Sequence, residues 1–255
     1  MNKLFYFVIS VYLVTAIAPS SAFAVDAKDH HAAAVEFRAC NFLEGKSMAD
    51  LEAVNEKFRQ YANKNDFDYS AWTLTPQFHN DTEFDVGWLG AWPDGGAFGV
   101  SMEKWQSTPA GRALQAEFNK VINCSGRHEL AASLPINAAD GTPKDGVVMF
   151  YQCKLKEGKT LADAYAAHLE AGTAMNAMGS LALSWFFQPA LGAGNIDFDY
   201  YHVVAFYRYS DMGATMEMFA NGGGREKQSS ILSPVAACAT PTVFDVLSVR
   251  AADER

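Results

Sequence analysis

The sequence predicts an α+β fold assembled from two tandem copies of one βαββαβ unit, each of roughly 100 residues. Three observations predict it. Identical residues recur in register along the chain. Each recurrence carries a β-rich opening followed by a helical stretch. The inner strands are apolar at successive positions instead of alternating with polar residues.

The recurrence runs from Cys40-Asn41-Phe42-Leu43-Glu44-Gly45-Lys46-Ser47-Met48-Ala49-Asp50 to Cys153-Lys154-Leu155-Lys156-Glu157-Gly158-Lys159-Thr160-Leu161-Ala162-Asp163, an offset of 113. Trp72 and Pro76 meet Trp185 and Pro189 at the same offset. One inserted residue changes the offset to 114, and Phe84-Asp85, Ala91, Met102-Glu103 and Cys124 then meet Phe198-Asp199, Ala205, Met216-Glu217 and Cys238. A shared register over 85 residues with a single insertion points to internal duplication.

The elements follow in order. The first strands are β-rich at 35–42 and 147–155. Ser47 and Thr160 stand three residues before Asp50 and Asp163, a capping box with Asp in place of Glu that opens the first helix of each unit. In the first unit that helix continues through Leu51, Val54, Phe58 and Tyr61 at helical spacing. The second strands carry Trp72 and Trp185, and the third run over 84–92 and 198–207. The second helices are broken near Pro109 and near Gly222-Gly223-Gly224, and the fourth strands cover 128–134 and 243–249. Runs such as Val147-Val148-Met149-Phe150-Tyr151 imply strands covered on both faces, by helices on one side and the other unit's sheet on the other. Two such sheets facing each other form an intramolecular α+β barrel.

Residues 1–24 read as a secretory signal. Lys3 is followed by an apolar run and by Ala22-Phe23-Ala24, so cleavage is expected after Ala24. Residues 25–34 form an N-terminal arm, 35–135 the first repeat, 136–146 a Pro/Gly-containing linker and 147–255 the second repeat. Removing Lys3 takes the formal charge from −9 to −10, which disfavours nucleic acid as a partner. With no second long apolar run, a soluble periplasmic or secreted protein is expected, monomeric or weakly oligomeric.

An even number of cysteines in an oxidising compartment favours disulfides. Cys40 and Cys153 stand near the ends of first strands, and Cys124 and Cys238 just before fourth strands. In this topology the fourth strand runs antiparallel beside the first, so the expected bridges are Cys40–Cys124 and Cys153–Cys238. Bridges between the units would have to cross facing sheets about 10 Å apart.

In topology and duplication the sequence resembles the dimeric α/β-barrel (ferredoxin-like) superfamily, with both partners in one exported bacterial-type chain. The resemblance covers nearly all of the chain after the signal. It implies kinship with antibiotic-biosynthesis monooxygenases, haem-degrading oxygenases and chlorite dismutase-like haem proteins. No catalytic motif of those enzymes carries over residue by residue.

Several local motifs have plain structural readings. Gly45-Lys46-Ser47 and Gly158-Lys159-Thr160 mimic the end of a phosphate loop, but Cys40 and Cys153 occupy the position of its first Gly, so a turn and an N-cap are expected. Gly222-Gly223-Gly224-Arg225 reads as a helix kink before an anion nest. Asp29-His30-His31 offers too few converging ligands for a metal site, and the cysteines lack CxxC spacing, so no metal is expected.

The informative signal is a difference between the repeats. Leu51, Val54, Phe58 and Tyr61 become Ala164, Ala167, Ala171 and Ala174, while Thr73, Leu74, Val86 and Gly87 become Phe186, Phe187, Tyr200 and Tyr201. Either the added aromatic rings refill the lost volume, leaving a packed core with two satisfied histidines, or a pocket remains. The candidate lining is His168, His202, Trp185, Ala164, Ala167, Ala171 and Phe206. Three functions follow from different classes. The first is an exported small-molecule binding protein for an apolar or planar ligand. The second is a cofactor-free monooxygenase or haem-associated enzyme with His168 or His202 as base or axial ligand. The third is an envelope scaffold. The catalytic residues and the cofactor are not named by the sequence.

Overall fold

A computed structural model describes residues 31–80, 83–138 and 144–252. The expected signal segment, 1–24, and Asp29 and His30 of the expected arm lie outside the described residues. The first half contains β1 (Ala33–Phe42), α1 (Met48–Lys64), β2 (Ser70–Phe78), β3 (Val86–Trp92), α2 (Gly95–Ser107), α3 (Pro109–Phe118) and β4 (Ile122–Asn137). The second contains β5 (Gly146–Leu155), α4 (Leu161–Ala177), β6 (Leu183–Leu191), β7 (Tyr200–Phe206), α5 (Tyr209–Asn221), α6 (Gly224–Leu232), β8 (Ala236–Cys238) and β9 (Thr242–Arg250).

The strands close into an eight-stranded antiparallel barrel in the order β7-β6-β4-β1-β3-β2-β9-β5, with β5 pairing back onto β7. Within each half the strand order is that of a split βαββαβ unit. The two sheets face each other and also join edge to edge. One seam pairs β2 with β9, with Trp72 opposite Ser248. The other pairs β4 with β6, with Leu134 opposite Phe186. The disulfides Cys40–Cys124 and Cys153–Cys238 each tie a first strand to the segment entering or preceding the fourth.

The final strand of each half departs from the sequence expectation. β4 begins at Ile122 instead of near 128, because Asn41 and Phe42 of β1 pair with Asn123 and Ile122 across a register shift. In the second half the corresponding strand is split into β8 and β9, which share one side of β5. Pro241 lies in the gap, where it has no N–H to give a ladder. β1 starts within the expected arm, and β4 and β5 take residues from both ends of the expected linker.

The glycine-lysine motifs form turns. Gly45 and Gly158 have φ of +72° and +73°, a region that suits glycine. In the second half Thr160 N–H donates to Asp163 Oδ2 at 2.8 Å, and Asp163 N–H donates to Thr160 Oγ1 at 3.2 Å, completing the capping box. Ser47 N–H donates to Asp50 Oδ2 at 3.0 Å in the same way. The triple glycine separates α5 from α6, with Gly223 in the left-handed region at φ +82°.

Side-chain alternation divides the protein into an interior and two outer layers. Val35, Leu74, Val148, Phe187, Tyr201, Val203 and Phe244 point into the barrel. The opposite strand faces meet helices: Leu51, Val54, Phe58, Trp88 and Phe118 form the outer core of the first half. Ala164, Tyr165, Phe186 and Tyr200, with a second cluster around Met149, Val204 and Phe206, form that of the second.

Candidate functional site

The space between the helices and the outer sheet face differs sharply between the halves. In the first half it is filled by aromatic rings. Phe58 meets Trp88, Trp105 and Phe118 at centroid distances of 5.4, 6.1 and 6.3 Å, leaving about 100 Å³. A polar group closes the rest. Glu36 is buried and accepts hydrogen bonds from Tyr69 Oη at 2.7 Å and Arg38 Nε at 2.9 Å, and pairs with His128 Nε2 at 2.8 Å. Trp88 Nε1 donates to Tyr69 Oη at 2.6 Å. The Tyr69 ring occupies the place where a Cβ on Gly90 would lie, 1.8 Å from Tyr69 Oη, so this packing requires glycine there. Burial raises the Glu36 pKa, but its bonds to His128 and Tyr69 and the Arg38 charge outweigh burial and hold it below the usual value.

At the matching positions of the second half, Phe58, Trp88, Trp105 and Phe118 become Ala171, His202, Phe219 and Leu232, and Glu36 and Tyr69 become Met149 and Ala182. The result is a cavity of about 490 Å³ bounded by α4, α5, α6 and the outward face of β5, β6 and β7. α4 presents Ala164, Ala167, His168, Ala171 and Met175 as its buried stripe. The rings added to the sheet refill only one end. Phe186 and Tyr200 stack at 4.2 Å, and Tyr165 meets Phe186 at 5.7 Å, beside Ala164. The added Phe187 and Tyr201 point the other way, into the barrel.

His168, Ala171, His202 and Phe206 of the expected set line the cavity. Ala164 and Ala167 are buried but do not border it. Trp185 lies on the opposite face of the sheet. Phe186 is the cross-strand partner of His202, so Trp185 must point inward, where it lines the barrel lumen. Sequence reasoning missed Met149, Met175, Met216 and Met218, along with Lys156 and Arg225. Met216 is the unchanged partner of Met102. The offset pairs Met149 with buried Glu36 and Met175 with buried Ala62, so reading it across the first-half interior finds those two, whereas Lys156 matches exposed Leu43 and gives no such signal.

The two histidines are adjacent, with ring centroids 4.3 Å apart. His168 Nε2 lies 3.0 Å from Tyr200 Oη. Burial lowers the His168 pKa to about 4. His202 is lowered well below the ordinary value, by burial first and then by His168. Both imidazoles are therefore neutral at neutral pH. Tyr151, the cross-strand neighbour of His202 on β5, lies 5.6 Å from it. Arg225 sits over the Phe219 ring at 5.6 Å. The Cys153–Cys238 bridge forms part of the wall. Donor atoms of these cysteines and His168 lie within 4.8 Å of one another, but each sulfur is bonded to the other and supplies no thiolate for a metal. His31 of the N-terminal motif is exposed.

No protein-family model matches the sequence, and no curated protein matches it. Solved structures share the fold. A candidate monooxygenase from Fusobacterium nucleatum subsp. nucleatum superposes with a TM-score of 0.54 at 7% identity, over 86% of this chain and 94% of that one. A candidate monooxygenase from Lactobacillus acidophilus NCFM gives 0.53 at 10% identity, over 86% and 95%. A variant chlorite dismutase from Candidatus Nitrospira defluvii gives 0.50 at 9% identity, over 84% and 90%. At these identities the likeness is one of fold: the chain has the dimeric α+β-barrel architecture, with both halves in one polypeptide.

Proposed function

We propose that this chain is an exported protein that holds a flat, largely apolar ligand in the second-half cavity, and that haem is the group these residues suit best. The observation that carries the reading is the cavity of about 490 Å³ where the other half retains about 100 Å³. An open volume of that size, apolar with a few polar groups, falls in the range of ligand sites. Two disulfides accord with an oxidising compartment. No helix among the described residues is long and apolar enough to cross a membrane.

The donor set fits haem. His202 faces the cavity, and burial keeps it in the neutral form that a metal-bound imidazole needs. His168 and Tyr151 flank its ring and fix its orientation. Met149, Met175, Met218 and Phe206 supply a deformable apolar wall. Lys156 and Arg225 supply cations for carboxylates. Haem in such a site would supply one-electron redox chemistry. This favours the haem-associated enzyme reading over cofactor-free monooxygenase and scaffold roles, because it gives both the cations and the neutral imidazoles a use.

Hemin titration of the purified chain is expected to produce a sharpened Soret band saturating at one equivalent. His202→Ala should lose or shift that band, while His168→Asn should keep it. A wild-type titration indistinguishable from free hemin removes the haem reading. Native mass spectrometry of the exported protein showing a different retained molecule would leave the simpler binding role.

A further inference from the structure

The barrel interior holds a second open volume, separated from the first by the sheet. It occupies about 740 Å³ at the end of the barrel bordered by the loops after β2 and β6. Aromatic rings collar it. Phe37 contacts Phe84 and Phe150 at 5.7 and 6.3 Å, and Phe244 contacts Phe84 and Phe150 at 5.9 and 5.8 Å. Tyr201 contacts Phe150 and Phe198 at 6.2 and 4.5 Å. Toward the other end of the barrel Val35, Val148 and Val203, with Trp72, Trp185 and Phe187, border a further open volume of about 260 Å³.

One polar group is set into this collar. Arg127 donates from Nε and Nη2 to the two oxygens of buried Glu129 at 2.6 and 2.7 Å, donates to Tyr201 Oη, and lies over the Phe37 ring at 5.6 Å. The second half has no counterpart. Glu129 stands opposite Phe37, whereas Thr242 stands opposite the matching Phe150. Tyr201 replaces Gly87, where a Cβ would already come within 2.8 Å of Phe37. The ion pair and the phenol therefore set one charged, hydrogen-bonding group directly against the aromatic rings, on a wall that also includes Asn80, Glu83, Gln152 and Thr242.

The charges define what this point can recognise. Glu129 neutralises Arg127 and would repel a ligand carboxylate, so an anion gains little here. Tyr201 Oη accepts from Arg127, which leaves the phenol proton to be donated to a third group. Aromatic faces and edges favour a flat ring system in contact with them. We infer that the barrel lumen is a binding site for a neutral, planar aromatic compound bearing one hydrogen-bond-accepting oxygen, a phenol or a carbonyl, met by Tyr201.

The test uses the full chain and two probes, 2-naphthol and naphthalene, with binding followed by calorimetry and naphthol fluorescence. Wild-type protein should bind 2-naphthol more tightly than naphthalene. Tyr201→Phe, a conservative change, should weaken 2-naphthol about fivefold, the worth of one hydrogen bond, and leave naphthalene unchanged. Ala39→Trp, which places a ring in the lumen from β1, should weaken both probes at least tenfold. The proposal is overturned by absent 2-naphthol binding, by equal effects of Tyr201→Phe on both probes, or by wild-type affinity in folded Ala39→Trp protein.

Discussion

The two helix–sheet layers have matching element order and capped first helices, yet one is filled and the other is open. In the first half Phe58, Trp88, Trp105 and Phe118 interlock, and a buried carboxylate is fully engaged. In the second half the matching positions hold a methyl, an imidazole, a smaller ring and an aliphatic chain. Backbone architecture therefore does not decide whether this layer is core or cavity. A handful of side-chain volumes does, and the covalent link between the halves lets them differ, which identical subunits of a dimer cannot do.

The sharpest way to break this contrast is to empty the filled layer. Phe58→Ala should cost about 3–5 kcal/mol, seen as a large fall in the denaturation midpoint. A loss below about 1 kcal/mol would mean that the first-half rings are not closely packed.

Acid should act on the open layer. The folded pKa of His168 is about 4 against 6.5 when unfolded, so the unfolded chain binds more protons between those values. Stability should fall as pH drops from 6.5 to 4, by roughly 3 kcal/mol for a shift of this size. His168→Asn, which installs the first-half residue, should flatten that window, and an unchanged slope would count against the assignment. Glu36 acts lower on the scale. Its depressed pKa contributes stability that is present above pH 4.5 and lost as pH falls through its folded value.

Adjacent alanines on α4 should respond oppositely to added volume. Ala171→Leu enters the cavity and should leave stability unchanged or raise it, whereas Ala167→Leu meets packed neighbours and should cost about 1–3 kcal/mol. Comparable losses in both would argue that the cavity is closed. The smallest effect should also be the most even. Ser47→Ala and Thr160→Ala should each cost about 1 kcal/mol, because each removes a capping hydroxyl that donates to the aspartate three residues on. Unequal costs would show that the helices differ at their starts as well as on their buried faces.

Much of this contrast was legible in the residues. Local rules dictated the element order, the caps and the turns, and the strand order placed each cysteine beside its partner. The alanine stripe on α4 marked where volume had been lost. What could not be read was where that volume went. Phe186 and Tyr200 stack over one end of the helix, a three-dimensional choice that offset counting does not contain. Trp185 stands outside the cavity because it is next to Phe186 on one strand, and neighbouring strand residues face opposite ways. The lumen was invisible for a deeper reason. Arg127, Glu129, Phe37 and Tyr201 come from strands far apart in the chain, and only closure of the barrel brings them together.

The position of β9 has a consequence for the order of events in folding. This last strand of the described residues pairs with β5 on one side and with β2 on the other, so Trp72 waits for Ser248, 176 residues later in the chain. Contacts of such separation form slowly. Until 242–250 have been made and delivered, β2 and β5 each present a bare row of backbone donors and acceptors to anything nearby. A premature stop at or before 242 would expose both rows at once, turning a sheet without edges into one with two.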